Sequence, residues 1–269
     1  MAIDRPLVMG ILNITPDSFY GPSRCEGGEE AVRRARLMLE QGADILDIGA
    51  CSTRPGSEPP SEEEELRRLE GPLAAIREAL PEAVISVDTF RSNVARRCIE
   101  RWRVDIINDA SGGSDPEMFA TVGSLKAAYV LMHTRGDAAN MDTLCSYPRG
   151  VVAEVVEELA FLLDKARQAG ICDIFVDPGF GFAKTTEQNM TLLAGLDSLK
   201  VLGCPILAGI SRKRMARESA GCTAADALVP TVALNAAAIV KGASVIRVHD
   251  VAEGVQTAKS LAKIWSISE

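Results

Sequence analysis

Aromatic residues are scarce in this 269-residue chain: Phe, Trp and Tyr make up 4% of it, whereas hydrophobic residues of all kinds make up 47%. A large core is therefore expected to be built mainly from aliphatic side chains. No stretch approaches the roughly 18 apolar residues of a membrane-spanning helix, and the apolar run near the N-terminus becomes polar too soon for a signal peptide. We therefore expect a cytoplasmic protein with no part in a membrane.

Long basic runs and paired cysteines are also lacking. The formal net charge at pH 7 is −8, so a nucleic acid or an anionic membrane surface is not expected as the main partner. The seven cysteines are scattered without a C-x-x-C pair, which favours reduced thiols in a cytosolic protein. A local cluster of Arg and Lys can still bind a small anion, because net charge does not describe one site.

Eight short apolar runs, each followed by a helical pattern, extend along the chain without a linker or low-complexity segment. They cover residues 7–14, 45–50, 85–89, 106–111, 128–133, 174–177, 205–211 and 245–250. Such runs are typical of strands that are buried on both faces of a parallel sheet. They predict an α/β fold with a single (β/α)8 TIM barrel domain over residues 1–269. An open, doubly wound sheet is the alternative.

Each of the eight runs ends in polar or ionisable side chains. These are Asn13, Asp47, Asp88, Asn108 with Asp109, His133, Asp177, Ser211 with Lys213, and Arg247 with His249. The carboxyl ends of barrel strands meet on one face, where the active site lies. Buried carboxylates without partners cost several kcal/mol, so these groups need cations, donors or a ligand. For single positions a local role remains open: Asp177 as a turn residue, and His133 as a strand cap.

The predicted ring has an acidic part and a basic part. Carboxylates and Asn108 suit a flat heterocycle with N–H donors, because one carboxylate accepts two such bonds. Arg54, Arg247 and His249 can surround an anion, with helix N-termini contributing. Asn13 offers a neutral oxygen of the kind that Mg2+ accepts beside phosphate oxygens. The ring therefore predicts a polar heterocycle joined to a phosphate as the ligand.

Eight motifs, in their order and spacing, resemble those of the dihydropteroate synthase family. They are GILNITPDSF, DIGACSTRPG, SVDT, INDASGG, MHTRG, DPGFGFAK, GISRK and IRVHDV, and together they span nearly the whole chain. The resemblance implies a (β/α)8 barrel that condenses 6-hydroxymethyl-7,8-dihydropterin pyrophosphate with p-aminobenzoate, giving 7,8-dihydropteroate and pyrophosphate. It also implies Mg2+ as the cofactor and a homodimer as the assembly.

The resemblance further implies a role for each matching residue. The pterin would be bound by Asp88, Asn108, Met132, Asp177 and Lys213. The p-aminobenzoate would contact Thr53, Arg54, Pro55, Phe182 and Ser211, together with Lys213. The pyrophosphate would be held by Asn13, Thr53, Arg54, Arg247 and His249, with Asn13 close to Mg2+. The residues expected to act in catalysis are Asp88, Asp177, Lys213 and Arg247.

Two loops depart from the family pattern. Residues 20–23 read Tyr-Gly-Pro-Ser where Ser-Asp-Gly-Gly is usual, and a Gly-Gly pair follows only at 27–28. Cys51 lies in a loop that commonly reads Gly-Gly-Glu-Ser, and we expect it to be a packing residue rather than a reactive thiol. Lys184 is expected only to close its own loop.

Two other functions remain open. A pterin-barrel methyltransferase that binds methyltetrahydrofolate would share the Asp and Asn contacts, but it would not need the SRK lysine or the STRPG loop. A non-catalytic pterin-binding protein would not need Asn13, Arg247 and His249 around a pyrophosphate. The chain has all of these features, which favours the synthase.

Overall fold

Eight parallel strands close into a barrel, in which each strand pairs with the next in chain order and the last pairs with the first. The computed structural model describes residues 3–14, 24–51, 59–137 and 139–268, without the side chains of 24–26 and 265–268. The strands are β1 Leu7–Asn13, β2 Ile45–Gly49, β3 Ile85–Asp88, β4 Ile106–Asp109, β5 Ala128–Met132, β6 Ile174–Asp177, β7 Ile206–Ala208 and β8 Ala243–Val248. The predicted α/β barrel is confirmed.

A helix follows each strand along the described ranges, and two helices follow β7. They are α1 Arg24–Glu40, α2 Glu62–Ala79, α3 Ser92–Trp102, α4 Met118–Leu125, α5 Val151–Gln168, α6 Thr186–Ala194, α7 Arg214–Ala220, α8 Leu228–Val240 and α9 Val251–Ser268. Short 3-10 helices lie at Met141–Thr143 and Leu196–Leu202. None of the helices described here has the length and hydropathy to cross a membrane.

The strands separate two layers of apolar side chains, because successive residues of a strand point to opposite faces. One cluster fills the barrel interior and is formed by Leu7, Met9, Ile45, Ile106, Val130, Leu207 and Val245. The larger cluster, which includes Val8, Leu46 and Ile107, packs the strands against the helices. Residues in phase with the interior cluster but nearer the strand ends, such as Asp47, Asn108 and Arg247, are therefore brought together above it.

Candidate active site

Arg247 of β8 lies between two carboxylates from β2 and β3. Its Nε donates to Oδ2 of Asp47 at 2.6 Å, and its Nη2 donates to Oδ2 of Asp88 at 2.8 Å. Asp47 is completely buried, and it also accepts from Ser86 Oγ at 2.7 Å and from Asn108 Nδ2 at 3.1 Å. Side chains from three other strands thus donate to one buried carboxylate, which needs these donors to be stable.

The charges around Arg247 do not balance within the cluster. Burial raises the pKa of Asp88 to about 7, while Arg247 opposes the rise and Asp47 adds to it. Two carboxylates share one guanidinium, so a ligand that brings N–H donors or positive charge would relieve the repulsion between them. This arrangement agrees with the prediction that the acidic part of the ring binds a heterocycle with N–H donors.

A second charged pair lies at the ends of β6 and β7. Oδ1 of Asp177 accepts from the backbone N–H of Gly179 at 2.7 Å. Nζ of Lys213 donates to the carbonyl of Phe180 at 2.6 Å and lies 4.7 Å from the centre of the Phe182 ring. Burial raises the pKa of Asp177, and burial lowers the pKa of Lys213 to about 8; each charge opposes the shift of the other.

Of two glycines beside this pair, one is required by its backbone. A Cβ on Gly209 would lie 3.6 Å from Nζ of Lys213 and 3.7 Å from Oδ2 of Asp177, which is ordinary van der Waals contact and places Gly209 next to both charged groups. Gly179 has a φ of +69°, and a Cβ there would lie 1.8 Å from the carbonyl oxygen of His133. Gly179 of the DPGFG sequence is therefore required by close backbone packing as well as by its positive φ.

His249 and Ser211 are joined across the ends of β7 and β8. Oγ of Ser211 lies 3.0 Å from Nδ1 of His249 and accepts from the backbone N–H of His249 at 3.2 Å. Burial, followed by the charge of Arg247, lowers the pKa of His249 to about 4. A neutral ring that accepts the Ser211 hydroxyl at Nδ1 carries its proton on Nε2, which is then free to donate to an anion.

Asn13 and Asp88 bring oxygen atoms to one side of Gly49. A Cβ on Gly49 would lie 3.9 Å from Oδ1 of Asn13 and 3.8 Å from Oδ2 of Asp88. Among the residues that the structure describes, no group of three or more His, Cys, Asp or Glu side chains could hold a metal ion. A lone amide oxygen fits Mg2+, which is commonly bound through one or two protein oxygens together with substrate phosphates.

The predicted ring of strand-end residues divides into two sets. Asp109 lies at the end of β4 but binds Tyr129, Ser111 and Gly113, and His133 binds Glu158 of α5. These two residues serve the packing around the barrel. The His133 side chain contacts the side chains of Glu158 and Lys184, which differs from the expected strand cap through a backbone hydrogen bond. The remaining members of the ring lie inward or in the loops above the strands.

Three expectations concern residues at the edge of the site. Met132 is buried and pairs in register with Asp177. Burial, with the Glu65 charge second, raises the pKa of Cys51 to about 12, so this buried thiol stays protonated, as a packing residue would. The predicted ligands Thr53, Arg54 and Pro55, and most of the atypical first loop, lie outside the described residues.

Sequence reasoning assigned no binding or catalytic role to Asp47 and Ser86. Asp47 was part of the polar ring, but its function as the common acceptor for Arg247 and Asn108 depends on barrel closure. One signal was available: Asp47 is two residues from Ile45, and Ser86 is two residues before Asp88. Period-two spacing puts each on the same face of its strand as an inward neighbour.

Comparison with known proteins identifies the family. A family model described as pterin binding enzyme matches residues 9–249. The chain belongs to this family. It is 40% identical over 265 residues to the dihydropteroate synthase of Synechocystis sp., covering 97% of this chain and 91% of that one. The resemblance to the dihydropteroate synthase family is thereby confirmed.

Solved structures of relatives share the fold over nearly their full length. Dihydropteroate synthase from Thermus thermophilus in complex with 4-aminobenzoate is 38% identical with a TM-score of 0.86, covering 99% of this chain and 96% of that one. The enzyme from Clostridium difficile, in the presence of pteroic acid, is 32% identical with a TM-score of 0.90, and 97% of each chain is covered. Some relatives are longer: the chain spans 36% of the folic acid synthesis protein of Pneumocystis carinii.

Proposed function

We propose that this protein is a dihydropteroate synthase, which condenses 6-hydroxymethyl-7,8-dihydropterin pyrophosphate with p-aminobenzoate. The observation that carries the proposal is the meeting of two charged groups at the carboxyl ends of the strands. One is Arg247 with Asp47 and Asp88, and the other is Asp177 with Lys213. Membership of the pterin-binding family and the likeness to synthases along the whole chain support it.

The pterin is proposed to lie between the two charged groups. Asp88 and Asp177 would accept its N–H donors, Asn108 and Lys213 would complete the polar contacts, and Met132 would pack against the ring. Asn108 is already oriented by its bond to Asp47, at 3.1 Å. This preorganisation lowers the cost of ordering the site when the pterin binds.

The other two subsites are proposed to lie on the outer side of the pterin. The p-aminobenzoate would contact Phe182 and Ser211, together with Thr53, Arg54 and Pro55. The pyrophosphate would be bound by Asn13, Arg247 and His249, together with Thr53 and Arg54. Neutral His249 would donate from Nε2, since Nδ1 is occupied by Ser211. Mg2+ would be held by the amide oxygen of Asn13 and would neutralise charge on the departing pyrophosphate.

The reaction breaks the bond between the pterin methylene carbon and the pyrophosphate oxygen and forms a carbon–nitrogen bond to the arylamine, which loses a proton. Positive charge on the methylene spreads into the electron-rich dihydropterin ring as pyrophosphate leaves. Asp177, which is buried, and Asp88, whose side chain is 13% exposed, would stabilise that charge where little water can screen it. Arg247 would stabilise the negative charge of the leaving group. No covalent enzyme intermediate is required, so none of the cysteines is needed as a nucleophile.

The first test is pyrophosphate release from the pterin pyrophosphate in the presence of Mg2+, with and without p-aminobenzoate. We expect release that depends on the amine and yields dihydropteroate. Pterin binding without release would support the binding protein instead. Methyl transfer from methyltetrahydrofolate to a corrinoid, with no dihydropteroate formed, would support the methyltransferase.

A pH dependence is expected from Lys213. Because burial lowers the pKa of this amine to about 8, the ammonium is present below that pH and is lost above it. We expect kcat/KM to fall about tenfold per pH unit above about pH 8. In the matched variant Lys213→Arg the guanidinium stays charged, so the fall of kcat/KM above pH 8 should disappear. If kcat/KM still falls in that variant, another group is responsible.

We further propose that the protein works in the cytoplasm as a homodimer, as the family resemblance implies. Sedimentation equilibrium of the purified protein measures its mass directly. A mass that stays that of one chain at micromolar concentration would contradict the dimer.

A further inference from the structure

Lys184 is a completely buried lysine to which the proposed reaction assigns no role. It lies in the loop between β6 and α6, and its side chain has no exposed surface. Its Nζ lies 2.9 Å from Nδ1 of His133, 3.1 Å from the carbonyl of Gly179 and 3.0 Å from the carbonyl of Phe182. Burial lowers the pKa of Lys184 to about 7, although the charge of Asp177 opposes the shift. Below that pH the ammonium has three donors, and here each has one acceptor.

The surroundings of Lys184 hold His133 in the state that accepts this bond. Nε2 of His133 lies 3.0 Å from Oε2 of Glu158, a carboxylate that is also paired with Arg135. Burial is the main cause that lowers the pKa of His133 to about 4, so its ring is neutral at pH 7. A proton on Nε2 then satisfies Glu158, and Nδ1 is left to accept from Lys184.

The two carbonyls that Lys184 binds are the ends of the turn that contacts the proposed catalytic groups. Within the same turn, the Phe180 carbonyl accepts from Lys213, and the Phe182 ring lies against the Lys213 ammonium. The backbone N–H of Gly179 donates to Asp177, and that of Gly181 donates to Oδ1 of Asn189 at 2.8 Å. One side of the turn is thus held by buried side chains, and the other side binds Lys213 and Asp177.

We propose that Lys184 is a positioning residue, which holds the turn of residues 179–182 so that the Phe180 carbonyl and the Phe182 ring orient Lys213. The effect on catalysis rests on the proposed function. The orientation of Lys213 is a property of the protein without substrate, and it can be measured independently. Losing the amine would remove one donor from the carbonyl at each end of the turn. The turn would then be held by the bond from the Phe182 backbone N–H to the Gly179 carbonyl, at 3.1 Å, and by the Gly181 bond to Asn189.

The test is a double-mutant cycle between Lys184→Met and Lys213→Met, read in kcat/KM. In the wild-type background we expect Lys184→Met to lower kcat/KM about tenfold, since the Gly179 and Phe182 carbonyls each lose one donor. In the Lys213→Met background the same change should cost less than about twofold, because the group it orients is gone. A purely structural role for Lys184 predicts equal losses in both backgrounds, and that result would overturn the proposal.

A second measurement does not depend on turnover. The rate of reductive methylation of Lys213, followed by mass spectrometry without substrate, should rise about fivefold in Lys184→Met as the Phe180 acceptor is displaced. The matched control is Tyr147→Phe, which removes the bond of its hydroxyl to the Ala183 carbonyl at 3.0 Å but leaves residues 179–182 untouched. That control should label at the wild-type rate. Equal labelling in Lys184→Met and wild type would overturn the proposal.

The variant Lys184→Gln covers the case in which the methionine variant does not fold, because it retains one amide donor for the turn. Lys184→Gln should also lower kcat/KM and raise the methylation rate of Lys213, each by less than Lys184→Met does. If neither variant folds, Lys184 is a folding determinant and the positioning role is refuted. A wild-type protein that forms no dihydropteroate would refute the proposed function alone, since the labelling of Lys213 would still report its orientation.

Discussion

Replacing Arg247 with methionine is expected to lower kcat/KM by about 1000-fold and the free energy of unfolding by about 3–5 kcal/mol. The guanidinium donates to Asp47 at 2.6 Å and to Asp88 at 2.8 Å, and the Asp47 side chain is completely buried. Methionine fills a similar volume but leaves two neighbouring carboxylates without their cation. Urea unfolding and steady-state kinetics on the same preparation measure the two losses.

The two losses should separate in the double variant Asp47→Asn with Arg247→Met. Removing one carboxylate relieves the repulsion, so part of the lost stability should return, although the new amide nitrogen faces Nδ2 of Asn108. The value of kcat/KM should stay low because the leaving group still lacks its cation. The amide oxygen introduced by Asp47→Asn can still accept a hydrogen bond from Oγ of Ser86. A single Arg247→Met variant as stable as the wild type would contradict the buried-charge argument. A double variant that recovers activity would contradict the role of Arg247 toward pyrophosphate.

The barrel could be predicted from the sequence because each βα unit carries its own signal. The apolar runs give the strands, and the helical patterns between them give the crossovers. The strand ends were less predictable: the run at 205–211 becomes a strand only over Ile206–Ala208. Residues 209–211 leave the sheet to carry the Lys213 turn, in which the backbone N–H of Lys213 donates to the Ile210 carbonyl. A run of apolar residues in the sequence does not reveal where the hydrogen bonding between strands ends.

The candidate site was predictable in its membership and less so in its geometry. Asn108 and Asp109 are adjacent letters at one strand end, yet one faces Asp47 and the other faces Tyr129. Which of the two faces inward depends on the phase of the strand, and a one-residue shift would exchange them. Asp47 and Arg247 are 200 positions apart, so only closure of the barrel brings them together.

Lys184 shows another limit of sequence reasoning. Its position before α6 is ordinary for a loop lysine, and nothing in the letters distinguishes it from an exposed one. Its burial follows from the close approach of the Gly179 turn to the His133 backbone, which encloses the ammonium among His133 and two carbonyls. Contacts between two loops decide its environment, and these become visible only when β5 and β6 are placed side by side.

Asp177→Asn is expected to lower kcat/KM by about 100-fold with little change in stability. The amide oxygen can keep the bond from Gly179, now 2.7 Å, so the turn should survive. What is lost is the negative charge beside Lys213 and the proposed pterin cation. Because burial raises the pKa of Asp177, holding its charge already costs folding free energy, and neutralising it should leave the melting temperature unchanged or slightly higher. Steady-state kinetics and thermal unfolding measure both.

The matched control is Asp109→Asn, at the end of β4. This carboxylate is equally deep, and burial likewise raises its pKa, but it faces away from the barrel interior and accepts from Ser111, Gly113 and Tyr129. An amide would set a donor against those donors, so about 2 kcal/mol of stability should be lost while kcat/KM stays near the wild-type value. Asp177→Asn is thus expected to lower kcat/KM but not stability, and Asp109→Asn is expected to lower stability but not kcat/KM. Unchanged kcat/KM in Asp177→Asn would show that a buried carboxylate at this strand end does not stabilise the developing cation.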